Sequence, residues 1–177
     1  MPVVNPDALL DDRIAAIRAE HARTGITRAE LDVSGGIDSA VMACLLVLAL
    51  GPTNVTLLHS RMSSNSEQTK RALNLGIALD CLVANGDFGA IFEATVKELR
   101  RCLVEAGHDI AEIDARCAAD PTILGSIRST LRAPLGRGAN RLTGGGLRYG
   151  TGNECEDRFL RFYQKGGDGE VDNNPLA

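Results

Sequence analysis

Segments whose apolar residues are typical of helices alternate with short segments that are typical of strands along the first half of the chain. Helical spacing predicts helices at residues 8–24 and 66–79, and the continuous apolar run of residues 40–50 predicts a buried helix that begins at about residue 38. Strands are predicted at residues 29–33, where apolar and acidic residues alternate, and at residues 54–59 and 80–83. This alternation predicts an α/β fold, in which right-handed crossover helices wrap a parallel sheet.

The second half continues this order with more helix. Helices are predicted at residues 87–106 and from 123 to 132, where Pro134 should end or kink the second one. Residues 147–149 then predict a short strand that runs into a glycine-containing loop. One detail conflicts with a fully covered sheet, because Glu30 and Asp32 alternate with apolar residues in the first strand. We therefore expect that strand to be partly solvated on one face.

Composition narrows the class of protein. A chain of 177 residues with 44% hydrophobic residues fits one domain, which we assign to residues 1–177. Its net charge of -4 argues against nucleic acid as a partner. The longest apolar run, residues 40–50, is too short for a membrane span, which needs about 20 residues. Without a basic and apolar leader at the N-terminus, we expect no membrane association and a cytoplasmic location.

The clearest candidate for chemistry is the Ser-Gly-Gly-Ile-Asp-Ser loop between the first strand and the next helix. Unpaired backbone N–H groups and the helix dipole favour an anion at such a position. Asp38 beside a phosphate makes sense if a cation such as Mg²⁺ lies between them. The alternative is a plain turn in which Asp38 only begins a helix. The candidate nucleotide-binding residues of this loop are Ser34, Gly35, Gly36, Ile37, Asp38 and Ser39.

A second candidate loop follows the strand at residues 147–149. It reads Gly-Thr-Gly-Asn-Glu-Cys-Glu-Asp at residues 150–157 and is followed by a segment rich in glycine and aspartate, which ends in Asn-Pro-Leu at residues 174–176. The alternative interpretation of this segment is a flexible, solvated tail.

Both loops resemble those of known proteins. The first resembles the pyrophosphate-binding loop of the N-type ATP pyrophosphatases, and the second resembles the signature of the NAD synthetases within that group. The resemblance implies a Rossmann-like sandwich of the adenine nucleotide alpha hydrolase type, with helices on both faces of a parallel sheet. It further implies ATP as a substrate and Mg²⁺ as a cofactor.

The resemblance also implies roles for individual residues. Thr151 and Arg61 match positions that contact ATP, although Arg61 could also be an exposed arginine without a role. Lys165, Asp172 and Arg132 match contacts to deamido-NAD, while Thr130 stands where the family has a further arginine, so Arg128 would have to replace it. Asp38 and Glu156 are the expected metal ligands, and Asp38 and Lys165 the expected catalytic residues.

The implied reaction is the ATP-dependent amidation of deamido-NAD to NAD through an acyl-adenylate, with release of AMP and pyrophosphate. Ammonia would come from solution or another subunit, and the family resemblance implies a homodimer. The matched segment corresponds to about the first two-thirds of a synthetase domain, so we expect the domain to lack its C-terminal third. Two alternatives stay open at this point: another adenylating ligase of the same superfamily, and a non-catalytic nucleotide-binding module.

Overall fold

The computed structural model describes residues 5–62, 66–153 and 171–176. Six helices and four strands lie within these residues, with a single 3-10 turn at Pro52–Asn54. The strands are β1 (Ala29–Asp32), β2 (Val55–Arg61), β3 (Leu82–Asp87) and β4 (Leu147–Tyr149). The helices are α1 (Pro6–Thr24), α2 (Ile37–Leu50), α3 (Ser66–Leu79), α4 (Gly89–Glu105), α5 (Ile110–Ala119) and α6 (Thr122–Leu142).

The described strands form one parallel sheet in the order β3-β2-β1-β4. Strand β1 is central and pairs with β2 on one side and with β4 on the other. The chain moves outward from β1 to β2 and β3, and then returns to the other side of β1 for β4. Such a reversal of strand order leaves a crevice at the carboxyl ends of the strands, where α/β proteins bind their ligands.

Helices cover both faces of the sheet, as the alternation of strands and helices predicts. Neighbouring residues of a strand point to opposite faces, and β4 shows this directly. The Tyr149 ring stacks on His21 of α1, at 5.9 Å between ring centroids. The Arg148 guanidinium instead donates to the carbonyl oxygen of Ala133 in α6. The α/β sandwich expected from the sequence is therefore confirmed.

The main core lies between the sheet and α1 and α2. Its buried side chains come from the strands β1, β2 and β4, from Val33 just after β1, from the inner face of α2, and from Ile17 of α1 and Ala72 of α3. Helix α2 contributes more of them than any other single element, because it is apolar along most of its length. The residues of the core cluster contributed by α2 are Met42, Ala43, Leu45 and Leu46.

Three expectations from the sequence need correction. Strand β3 begins at Leu82, because Asp80 has a left-handed backbone (φ 54) and ends the turn after α3. Helix α6 does not end at Pro134 but continues to Leu142, since the missing N–H of proline removes one hydrogen bond while contacts further along hold the helix near β4; a kink at Pro134 stays a prediction. Helix α5 has no counterpart among the predicted elements, and the Asp109 side chain caps it.

The sequence predicts that the face of β1 that carries Glu30 and Asp32 is partly solvated. This holds for Asp32, whose side chain is 31% exposed and lines the cleft, but not for Glu30, which is only 2% exposed. The Arg148 side chain lies beside both carboxylates, and this cation explains how Glu30 is accommodated away from water.

Replacing Leu46 by alanine should test the placement of α2 against the sheet. Leu46 is fully buried, so Leu46→Ala should lower the free energy of unfolding by about 2–5 kcal/mol through lost burial and the cavity left behind. Leu48→Ala is the matched control on the same helix, because Leu48 is 54% exposed. Urea unfolding measures both variants, and equal losses would show that α2 is wrongly oriented.

Candidate active site

A cleft of about 350 Å³ opens at the carboxyl ends of β1, β2 and β4. Parallel strands all present their carboxyl ends at one edge of the sheet, so the loops that follow them meet there. The cleft is lined by residues from the phosphate loop, from the end of β2, from α3 and α6, and from the start of the loop after β4. Of the predicted site residues, those lining it are Ser34, Asp38, Ser39, Arg61, Arg132 and Thr151.

The phosphate loop is held in shape by its own serines. The Ser39 hydroxyl donates to the carbonyl oxygen of Gly36 at 3.0 Å and accepts from the main-chain N–H of Ser34 at 3.3 Å. The Ser34 hydroxyl accepts from the N–H of Gly36 at 3.2 Å. Gly36 caps α2 without any side-chain hydrogen bond to the first turn. The N–H groups of that turn therefore stay directed at the mouth of the helix, where an anion is stabilised.

Gly35 lets this loop approach α3 closely. Its backbone is left-handed (φ 82), and a Cβ at this position would overlap the main-chain carbonyl oxygen of Gln68. Both the conformation and the close approach require glycine. Gln68 and Thr69 of α3 line the same cleft, so the packing of Gly35 sets the width of the cleft on this side.

His59 fastens the loop to its neighbours from the side of β2. Its ring is buried, with Nδ1 2.7 Å from the carbonyl oxygen of Val33 and Nε2 3.1 Å from the hydroxyl of Thr69. A carbonyl only accepts, so Nδ1 donates to Val33, while Nε2 lies within hydrogen-bond distance of the Thr69 hydroxyl. The residue immediately before the phosphate loop is thereby tied to α3.

Arg61 lies at the end of β2, inside the cleft. Its side chain is partly buried and pairs with Asp87 at 3.6 Å between Nη2 and Oδ2. Arg61 is therefore only partly exposed and lines the cleft, while its contact with a nucleotide stays a prediction.

Helix α6 contributes Arg132 to the cleft but not Arg128. The Arg128 guanidinium instead lies 5.0 Å from the centre of the Phe92 ring on α4. Thr130 is exposed and its hydroxyl donates to the carbonyl oxygen of Ser126. In this structure Arg128 therefore lies against Phe92 and does not line the cleft, and its replacement of the family's first arginine stays a prediction.

Beyond β4, the described residues place Thr151 in the cleft and Asp172 beside the strand. The Asp172 carboxylate accepts from the main-chain N–H of Arg148 at 2.8 Å, so it supports β4 in this structure. Its predicted contact with deamido-NAD stays a prediction. Glu156 and Lys165 lie outside the described residues.

An ionic cluster of Glu30, Asp32 and Arg148 lies under the cleft. The Arg148 Nη2 is 2.8 Å from Oδ2 of Asp32, and its Nε is 3.4 Å from Oε1 of Glu30. One guanidinium cannot neutralise two carboxylates, and Glu30 is the more deeply buried of the two. Burial raises the pKa of Glu30 to about 7; the positive charge of Arg148 opposes this rise, and the negative charge of Asp32 adds to it.

Sequence reasoning did not assign a site role to Asp32, His59, Gln68, Thr69 or Arg148, all of which line the cleft. A signal for Arg148 was present, because two carboxylates at alternate positions of a central strand need a cation, and Arg148 is the charged residue of β4. No comparable pattern points to Gln68 and Thr69, which reach the cleft from the first turn of α3.

Residues 9–177 match the model of the NAD synthase family. The chain belongs to this family. Among its relatives, the NH3-dependent NAD+ synthetase of Methanosarcina mazei is 34% identical over 168 residues, which cover 91% of this chain and 57% of the relative. The corresponding enzyme of Halobacterium salinarum is 31% identical over 176 residues, covering 94% of this chain and 56% of the relative. This NAD synthase family chain thus spans a little over half the length of these relatives.

Two solved structures share the fold of this chain. The NH3-dependent NAD synthetase of Campylobacter jejuni superposes with a TM-score of 0.80 at 23% identity, covering 98% of this chain and 68% of that one. An NMN synthetase from Francisella tularensis also gives a TM-score of 0.80, at 21% identity, covering 98% of this chain and 65% of that one. At this level of identity the likeness establishes the architecture of the NAD synthase fold.

Gly35→Ala should damage nucleotide binding through the loop geometry. The added Cβ meets the carbonyl of Gln68, so the loop must move away from α3, and we expect affinity for ATP to fall by about tenfold or more. Gly25→Ala is the matched control, because Gly25 is also left-handed (φ 69) but has open space around it. Titration calorimetry with ATP measures both variants. Equal affinity in the two would contradict the role given to Gly35.

Glu30→Gln should change how stability depends on pH. Folding raises the pKa of Glu30 from its ordinary value of 4.5 to about 7. The folded state therefore holds the Glu30 proton more tightly than the unfolded chain does. The resulting stability is present below about pH 4.5 and is lost as pH rises through about 7, by about 3 kcal/mol at most.

Because glutamine keeps the neutral form, the midpoint of thermal unfolding should fall less between pH 5 and pH 8 in Glu30→Gln than in the unmodified protein. Glu93→Gln, an exposed change on α4, controls for the loss of a carboxylate in general. Parallel pH curves for Glu30→Gln and the unmodified protein would refute the assignment of the proton to Glu30.

Proposed function

We propose that the protein catalyses the ATP-dependent amidation of deamido-NAD to NAD, with release of AMP and pyrophosphate. The observation that carries this proposal is the meeting of the phosphate loop, Arg61, Arg132 and Thr151 around one cleft at the switch point of the sheet. Membership of the NAD synthase family and relatives named NH3-dependent NAD+ synthetase support the choice of substrate.

In the first step, an oxygen of the nicotinate carboxylate attacks the α-phosphorus of ATP. An acyl-adenylate forms as the bond from this phosphorus to the bridging oxygen breaks, and pyrophosphate leaves with that electron pair. In the second step, ammonia attacks the acyl carbon, AMP leaves, and nitrogen loses a proton. The carboxylate is already ionised at neutral pH, so the protein needs no general base for the first step and acts mainly by positioning and charge stabilisation.

Each described part of the cleft has a task in this scheme. The first turn of α2 and the serines of the phosphate loop hold the β- and γ-phosphates, which become the leaving pyrophosphate. Arg61, at the end of β2, offsets charge on the nucleotide. Arg132 faces the cleft from α6 and binds the dinucleotide, while Thr151 contacts ATP from the loop after β4.

The donor set of the cleft fits Mg²⁺. This ion keeps several waters and is commonly held by one or two carboxylates together with substrate phosphates. Asp38 supplies one carboxylate at the phosphate loop. No group of three or more potential metal ligands occurs among the described residues, which suits a site in which substrate phosphates provide most of the ligands. Asp38, with Glu156 as the family resemblance implies, would hold the ion. Bound there, Mg²⁺ supplies charge compensation for pyrophosphate.

Within the described ranges no helix is long and apolar enough to cross a membrane. A homodimer and a cytoplasmic location, both expected from the sequence, complete the proposal. We further propose free ammonia as the nitrogen source, which agrees with the names of the relatives.

The proposal is tested by measuring AMP and NAD formation with ATP, Mg²⁺, deamido-NAD and ammonium chloride. Asp38→Asn keeps the shape of the side chain and removes its charge, so turnover should fall by about 100-fold or more if Asp38 holds the cation. Asp11→Asn, an exposed change on α1, is the matched control and should leave turnover unchanged.

Two other results would replace the proposal. AMP formation with a different carboxylate, including the mononucleotide counterpart of deamido-NAD, would identify another adenylating ligase of this superfamily; the fold is shared with an NMN synthetase. ATP binding without AMP formation with any of these carboxylates would identify a non-catalytic nucleotide-binding module.

A further inference from the structure

Arg148 joins three parts of the molecule that meet at the cleft. Its Nη2 donates to Asp32, two residues before the phosphate loop, and its Nη1 donates to the main-chain carbonyl of Ala133 in α6 at 3.1 Å. Its own main chain belongs to β4, where it pairs with Glu30 in register. The side chain therefore spans from the loop that would hold phosphate to the helix that carries Arg132.

The fit between Arg148 and α6 is close. A Cβ on Gly136 would overlap the guanidinium group, so the helix lies against the flat cation at this residue. Asn140, one turn further along, donates to the carbonyl of Gly146 just before β4. Gly138, on the same helix, has open space around the position of a Cβ. The contact is thus specific to one face of α6 and centred on Arg148.

The contact between Arg148 and α6 lies next to the arginine of that helix that faces the cleft. Ala133 directly follows Arg132, so the carbonyl that Arg148 holds is next to the arginine that faces the cleft. Helix α6 also contains Pro134, which removes one of its own hydrogen bonds at this point. Because α6 lacks this hydrogen bond at Pro134, a contact with another element, here Arg148 of β4, helps to fix the direction of the helix.

We propose that Arg148 is a positioning residue, which fixes α6 against the end of β1 and so holds Arg132 at the correct distance from the phosphate loop. The part of this inference that concerns substrate rests on the proposed function, in which Arg132 binds deamido-NAD. Arg148 lines the cleft, but its side chain is buried and its guanidinium is already engaged by Asp32 and by the carbonyl of Ala133, so we assign it a role through α6 and no direct contact with substrate.

The test uses amide hydrogen exchange and substrate affinity in the full chain. In Arg148→Met, exchange in α6 should speed up by about tenfold or more, while exchange in α2 stays within about twofold of the unmodified protein. Arg148→Lys should restore part of the protection. A lysine supplies the charge, but it lacks the planar guanidinium that donates both to Asp32 and to the carbonyl of Ala133. Unchanged exchange in α6 of Arg148→Met would overturn the proposal.

Gly136→Ala gives a second variant that keeps every charge, in case Arg148→Met fails to fold. It should also speed exchange in α6, whereas Gly138→Ala, the matched control, should slow it or leave it unchanged. If Gly136→Ala exchanges like Gly138→Ala, the contact with Arg148 does not hold the helix, and the proposal fails.

Calorimetric titration with deamido-NAD tests the link to Arg132. Arg148→Met and Arg132→Met should each weaken binding by about tenfold, and the double variant should be no weaker than Arg132→Met alone, because both changes remove the same contact. Additive losses would show that Arg148 acts elsewhere. If the unmodified protein binds ATP but not deamido-NAD, the proposed function fails, while the exchange experiment still decides whether Arg148 positions α6.

Discussion

The parallel pairing of β1 with β2 and β4 is the constraint on which the site depends. It sets the carboxyl ends of three strands side by side, although the loops that follow them are far apart in the chain. The phosphate loop, Arg61 and Thr151 reach one cleft because their strands run in the same direction. An antiparallel β4 would move Thr151 to the opposite edge of the sheet.

The same pairing creates an electrostatic problem, which Arg148 solves. Register places Glu30 opposite Arg148, and the period of two places Asp32 on the same face of β1. One buried and one partly exposed carboxylate beside a single cation leave an excess negative charge, which a proton on Glu30 removes as pH falls below its pKa of about 7. Apolar residues of similar size can serve as well as a buried ion pair for stability alone. Besides stability, the ionic contact of Arg148 fixes the orientation of α6.

Much of the fold could be predicted from the sequence because it depends on local patterns. The apolar residues of α2 and the glycine loop before it indicate a buried helix with an anion site at its start. Long-range contacts could not be predicted from local patterns alone: the two carboxylates of β1 indicate a nearby cation, but only the fold shows that Arg148, more than a hundred residues away, lies beside Glu30. The continuation of α6 past Pro134 likewise depends on contacts with β4. Glu156 and Lys165, drawn from the family resemblance, lie outside the described residues and stay predictions.

The charges around the cleft explain why a cation is expected with the nucleotide. Among the described residues that line it, three arginines stand against two aspartates, a net charge of +1. Asp32 already offsets Arg148, and Asp87 lies 3.6 Å from Arg61. A triphosphate carries several negative charges, so these side chains alone do not balance it. Backbone N–H groups at the start of α2 supply part of the difference. Under the proposed function, a divalent cation on Asp38 supplies the remainder, which would account for a carboxylate at the mouth of a site that binds anions.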